Sequence, residues 1–364
     1  MKAAVLNAIP GLLEIEEIEI GEPGPREVLV RTAAAGICHS DLHFMEGKYM
    51  HPCPAVLGHE SAGVVEAVGS MVKYVEPGDH VITCLSAFCG HCSQCTDGHL
   101  SLCENKATEL VRGADESPRL SRAGEPVNQY LHLSSFAEKM LIHEQALVKI
   151  DKAMPLDKAA LIGCGVTTGL GAVFRTAKVA PGESVAVIGC GGIGLSAIQG
   201  ARIAGANTII AVDMSASKLE LAQEMGATHI VDASKVDAVA EVLAITGGGV
   251  HHSFEAVGLK VTAEQSFQML RNGGQATVIG MIPLGTTVEI QGVDLLYEKK
   301  LTGSNMGSNQ FRTDMPRYVD MYLSGRLLLD EMVSKTITLD DINAGFDDMK
   351  QGNVARSVIT FPMD

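Results

Sequence analysis

Basic residues are scarce. The 364-residue chain carries 28 Lys and Arg against 43 Asp and Glu, a net charge of −15 at pH 7. Such a surface repels phosphate backbones and anionic headgroups, so neither a nucleic acid nor a membrane is an expected partner. Long uncharged apolar runs are missing too, and none reaches the roughly 18 residues that span a bilayer. The opening stretch "MKAAVLNAIPGLLEIEEIEI" is broken by Pro10 and acidic from Glu14. It lacks the basic start, apolar core and small-residue cleavage site of a secretory signal. The expectation is a cytoplasmic chain whose thiols stay reduced. An odd count of nine cysteines then reads as metal ligands and packing residues rather than as disulfides.

What is present divides into two textures. A chain of this length exceeds what one core usually serves. Residues 1–165 read as short β segments punctuated by turn signals such as Glu76-Pro77-Gly78-Asp79. From 166 to 305, strands alternate with helices: "SVAVIG", "GIGLSAIQGARIAGA", "TIIAVD", "SASKLELAQEMGA" with Ser215 or Ser217 as N-cap, then "VDAVAEVLAITG", "AEQSFQMLRNGG" and "QATVIGM". That alternation implies an α/β domain with a parallel sheet covered on both faces. Residues 306–364 return to mixed character and are assigned with 1–165. Residues 104–134 form a polar stretch with little periodicity, expected to be a functional or interface loop.

Within the α/β half, "AVIGCGGIGLSAIQG" places Gly189, Gly191, Gly192 and Gly194 between a strand and a helix. Glycines there permit a tight turn, close approach of backbone N–H groups to a pyrophosphate, and close helix–strand packing. Asp213 ends the next strand, where a carboxylate accepts the adenosine ribose hydroxyls and repels a 2′-phosphate, so NAD is expected over NADP.

Two cysteine constellations differ in kind. "CGHCSQCTDGHLSLC" gathers Cys89, Cys92, Cys95 and Cys103, four thiolates able to close a tetrahedron around a structural zinc with no open position. The second set is dispersed: Cys38, His59 with Glu60 beside it, and Cys164. Two thiolates and one imidazole suit a catalytic zinc with a fourth position open, although such scattered residues prove little by spacing.

Taken jointly, "GICHSDLH", "LGHESAGVV", "PGDHV", the cysteine cluster, "GCGVTTGLGAV", "VAVIGCGGIG" and the closing "GNVARSVITF" resemble the zinc-dependent medium-chain alcohol dehydrogenases along the whole chain. The resemblance implies a GroES-like β-rich catalytic domain plus a Rossmann doubly wound parallel sheet. It implies catalytic zinc on Cys38, His59 and Cys164, with Glu60 approaching the metal transiently and Asp41 fixing the His59 tautomer. It implies oxidation of primary alcohols by hydride transfer to NAD, with Ser40 taking the alcohol proton and passing it through the nicotinamide ribose to His43 at the surface. Ile193, Lys218 and Val278 match cofactor-binding positions, and His39 and Arg356 match positions that contact the pyrophosphate. Ser40, Tyr49, Leu85 and Phe136 align with an apolar substrate pocket. The branch acting on S-hydroxymethyl thiol adducts usually has an acid near Tyr49 and an arginine near Ala107; neither is at the aligned position, although Arg112 is close. The retained 104–134 segment suggests a homodimer, joined through strands near "QATVIGM" and "KKLTGSN".

Overall fold

A computed structural model describes residues 1–113, 115–352 and 355–363. Asn353 and Val354 of the closing motif therefore lie outside the described residues. The chain divides into two compact units, Met1–Cys164 with Gln310–Asp364, and Gly165–Asn309.

The first unit is built on β-branched runs. Its largest sheet has the order Leu147–Lys149, His80–Thr83, Glu60–Val68, Glu27–Gly36, Arg356–Thr360, Val333–Ile337, and Lys139–His143 also pairs with Glu27–Gly36. A smaller sheet holds Lys2–Leu6 between Ala55–Val56 and Leu13–Glu17. Between the layers lie Leu6, Ile37, Leu57, Tyr130, Phe136, Ile342 and Phe346, all essentially inaccessible. Phe136 stacks edge-on to Phe346 at 6.1 Å. It is fully buried in this cluster.

In the second unit, six parallel strands run in the order His229–Asp232, Thr208–Asp213, Ser184–Ile188, Val250–Glu255, Leu270–Val278, Lys300–Gly303. In sequence order this is 3-2-1-4-5-6, the doubly wound arrangement whose ligand crevice lies at the carboxyl ends beside the first strand. Among the helices, Ala216–Glu224 has Ser215 at its N-cap position without a side-chain cap bond, whereas Asp237 caps Ala238–Thr246 by accepting from Ala240 N–H. The helix expected through Gly274 stops at Gln268, because Leu270 onward is taken into the sheet.

Among the described residues one helical run, Leu156–Ala177, is long and apolar enough to cross a membrane, but 83% of its apolar 18-residue stretch is buried inside the fold. It reads as a core helix.

The polar stretch 104–134 is not structureless. It contains a short helix, Lys106–Glu109, and the strands Leu120–Arg122, Glu125–Pro126 and Asn128–Gln129. Its anchor is Glu27, a buried carboxylate on the central strand that accepts from Arg112 Nε at 3.1 Å and Arg119 Nε at 2.7 Å. Burial alone would raise the Glu27 carboxyl, yet Arg112, Arg119 and the Gly24 N–H together hold it down to about 2. Its folded-state value lies below that of the unfolded chain, about 4.3. The resulting stabilisation is therefore present above the unfolded value and is lost as pH falls towards 2. Glu27→Gln leaves two guanidinium groups without their buried counter-charge. At pH 7 it is expected to cost about 3 kcal/mol in chemical denaturation, and the gap to wild type is expected to narrow near pH 2.

Candidate metal centre and glycine loop

Cys38 ends the Glu27–Gly36 strand region and occupies the N-cap of the helix His39–Met45. The helix carries Ser40 and His43 three apart, on one face, and buries Asp41 in its first turn. His59 immediately precedes the strand Glu60–Val68. Cys164 lies within a π-helical turn, Ile162–Val166, that interrupts the regular helix after Leu161. Such widened turns recur at functional sites. Chain positions 126 residues apart thus meet: the donor atoms of Cys38, His59 and Cys164 lie within 4.8 Å of one another, and all three residues are buried.

Asp41 explains the His59 tautomer. Its Oδ1 accepts from the backbone N–H of Gly58 and from His59 Nδ1, each at 3.1 Å. With the proton on Nδ1, the lone pair of Nε2 is left for a metal. That nitrogen is buried and has no nitrogen or oxygen partner among the described residues, so it is the ring atom open to a metal once it carries no proton. The Cys38 thiol is held well below its ordinary range, first by its hydrogen bond with Cys164 and then by the charges of His59 and Arg356. An N,S,S set with a thiolate-prone member fits zinc.

Glu60 stands outside that set. Its Oε2 lies 3.6 Å from Arg356, a buried residue that also donates to the Ile37 carbonyl at 3.1 Å. Arg356 itself is engaged inside this unit. Ser40 Oγ is 3.7 Å from Cys38 Sγ. His39 is exposed, Ser40 half-buried. His43, expected at the surface, is half-buried with its ring 6.2 Å from that of Tyr49. Burial foremost, then the Lys48 charge, lowers its pKa, so it stays neutral and able to accept a proton near pH 7. Leu85 is half-buried against the sheet core. The sequence reading missed Tyr130, whose ring packs at 5.9 Å edge-on to His59. No motif marks a lone tyrosine in an irregular segment.

The four remaining donors form a second cluster. Cys89, Cys92, Cys95 and Cys103 also lie within 4.8 Å of one another. Backbone N–H groups point at the sulfurs, from Cys89 to Cys103 Sγ at 3.2 Å and from Cys92 to Cys89 Sγ at 3.4 Å. Backbone N–H groups of Glu104 and Cys95 lower the Cys92 thiol to about 6, whereas burial lifts Cys95 to about 12. Four sulfurs with main-chain donors aimed at them suit a closed structural zinc site.

In the second unit each loop glycine has its own reason. Gly189 has φ +94°, and a Cβ there would also strike Val257 at 2.6 Å; a Cβ on Gly194 would lie 1.7 Å from the Gly189 carbonyl. Gly191, at the N-cap of the helix Gly192–Ala204, has ordinary backbone angles and nothing within 4 Å of its missing Cβ. Neither strain nor packing requires glycine there. Close approach of an anion would, at a helix N-terminus that attracts one. Asp213 is oriented by the backbone N–H groups of Cys190 at 2.7 Å and Ser215 at 3.0 Å. Ile193 is half-buried in the helix first turn, Lys218 half-buried on the helix after Asp213, and Val278 ends its strand half-buried. This arrangement could hold a dinucleotide.

A family model described as Alcohol dehydrogenase GroES-like domain matches residues 24–152, and one described as Zinc-binding dehydrogenase matches residues 192–323. The chain is 38% identical to the probable S-(hydroxymethyl)glutathione dehydrogenase 1 of Schizosaccharomyces pombe, over 98% of this chain and 96% of that one. It is 39% identical to the NDMA-dependent alcohol dehydrogenase of Amycolatopsis methanolica, over 100% and 99%. The crystal structure of benzyl alcohol dehydrogenase from Acinetobacter calcoaceticus superposes with a TM-score of 0.93 at 36% identity, covering 99% of each chain.

Metal analysis of the purified protein is expected to give two zinc ions per chain. Cys164→Ser is expected to retain about one and remain folded, while Cys95→Ser lowers thermal stability as well, because the closed site holds its own lobe together.

Proposed function

The chain belongs to the zinc-dependent medium-chain alcohol dehydrogenase family, and from that premise we propose that it oxidises primary alcohols, alkyl or aromatic, to aldehydes with NAD, and runs the reverse reaction. The observation that carries this reading is the buried Cys38–His59–Cys164 set, with Asp41 behind the imidazole and an orphaned Nε2 in front. Cys38, His59 and Cys164 would hold the catalytic zinc, and Cys89, Cys92, Cys95 and Cys103 the structural one. Bound zinc and NAD supply Lewis acidity at the alcohol oxygen and a hydride acceptor.

The protein's own groups do the rest. Asp41 keeps the His59 proton on Nδ1 so that Nε2 faces the donors' centre. Ser40, beside Cys38, takes up the alcohol proton, and His43, one turn on and neutral near pH 7, receives it. Gly189, Gly191, Gly192, Ile193, Gly194 and Val278 would form the bed of the dinucleotide, with Asp213 and Lys218 on the adenosine ribose.

Relatives named for S-(hydroxymethyl)glutathione supply a second reading. Against it, Arg112 is already spent on Glu27 and on the carbonyls of Glu22 and Ser117, so it offers no free cation to a charged thiol adduct. A homodimer is the proposed assembly: the edge strand Lys300–Gly303 and the exposed Val293, Leu295, Leu296 and Tyr297 before it offer an apolar face. Light scattering should give about twice the 38.4 kDa chain mass, and Leu296→Asp should shift it towards one.

Steady-state assays with NAD are expected to show kcat/KM for benzyl alcohol or hexanol above that for S-hydroxymethylglutathione; the reverse order would favour the second reading. Cys164→Ser should abolish turnover of either. Gly191→Ala should leave the melting temperature unchanged and weaken NAD binding by about tenfold or more, roughly 1.4 kcal/mol.

A further inference from the structure

Tyr130 sits where the first unit's core meets its metal centre. Its ring packs edge-on to His59 at 5.9 Å, to His51 at 5.5 Å and to Phe44 at 4.9 Å. Tyr49 continues the same wall, 5.7 Å from Phe44. These aromatic faces suit a flat, ring-bearing tail on the alcohol.

The wall is not wholly apolar. Tyr130 is fully buried, yet its Oη has no hydrogen-bond partner among the described residues. Beside it, His51 is bonded to the Gln129 main chain, while its buried Nε2 has no partner among the described residues. A histidine that donates from one ring nitrogen to a carbonyl presents the other as an acceptor. The pair therefore offers one hydroxyl donor and one imidazole acceptor with adjoining rings. A tyrosine hydroxyl keeps its proton at neutral pH and is therefore a donor. Buried polar groups are rarely left unmatched without a reason.

The backbone gives an independent sign. Leu131, His132 and Ser134 have φ of 48°, 65° and 61°, left-handed values in residues that are not glycine. Ser134 Oγ accepts from Tyr130 N–H and donates to the Val56 carbonyl, both at 2.8 Å. A strained turn is thus locked in place directly behind Tyr130, and strain of this kind gathers at ligand-binding positions.

We propose that Tyr130 Oη and His51 Nε2 together receive a second hydroxyl carried on the ring of the substrate, making hydroxylated benzyl-type alcohols the preferred class. A phenolic hydroxyl matches the pair on both counts: its oxygen accepts from Tyr130 and its proton is donated to His51. This rests on the dehydrogenase reading above and adds to it a specificity. A site built to bond a hydroxyl discriminates strongly against the analogue that lacks one.

The test is kcat/KM for 3- and 4-hydroxybenzyl alcohol against benzyl alcohol, in wild type, Tyr130→Phe and His51→Leu. Wild type is expected to prefer at least one hydroxylated isomer by tenfold or more, and each variant is expected to bring that ratio close to one. A wild-type ratio near one for both isomers overturns the proposal whatever the variants do, as does an undiminished preference in folded Tyr130→Phe. Should a variant fail to fold, competition in wild type decides. 4-Hydroxybenzaldehyde or its 3-isomer must inhibit benzyl alcohol oxidation at least tenfold more tightly than benzaldehyde, and equal inhibition overturns the proposal. If wild type oxidises benzyl alcohol well without preference, only this inference falls; if it oxidises none of the alcohols, the dehydrogenase reading falls with it.

Discussion

The hydrogen bond from His59 Nδ1 to Asp41 is the contact on which the first unit's chemistry depends. A buried carboxylate is costly unless it is partnered, and Asp41 is kept by two N–H donors, one from Gly58 and one from the imidazole. In return it determines which face of His59 is basic. Remove that constraint and the ring has no fixed tautomer, the two thiols lose their third partner, and burying three metal donors would lack a reason. The surrounding sheet is shaped to this need. The strand Glu27–Gly36 delivers Cys38, the strand beginning at Glu60 delivers His59, and the two are paired along their length, with Gly36 opposite Glu60.

The parts of this arrangement that were legible in the sequence were the local ones. The cysteine cluster spans 15 residues, and the glycine loop lies between one strand and one helix; both are specified by neighbours in the chain, so spacing carries the information. The parallel sheet of the second unit followed from alternating periodicity for the same reason, whereas its doubly wound order came only with the resemblance to a family. The dispersed donors were legible only through resemblance to a family, since nothing in "LIGCGVTTG" says that a π-turn will aim Cys164 at Cys38.

Other features were hidden because they are tertiary compromises. The 104–134 segment reads as loop from its polarity, yet Glu27, 85 residues before Arg112, gives it a fixed path. Phe136 and Tyr130 are both aromatic and six apart, and only packing decides that the first fills the core against Phe346 while the second faces His59. Glu60 adjoins the donor His59 in sequence but pairs with Arg356, nearly 300 residues away.

The widened turn at Ile162–Val166 carries one further implication. A regular α-helix advances about 100° per residue, so removing the extra residue from that turn would rotate everything beyond it by that angle. Cys164 sits inside the turn, so its sulfur would swing off its two partners. The grouping of the three donors and the winding of the helix are therefore a single degree of freedom in this protein: a length change of one residue in that helix separates the donors, even where it spares all three.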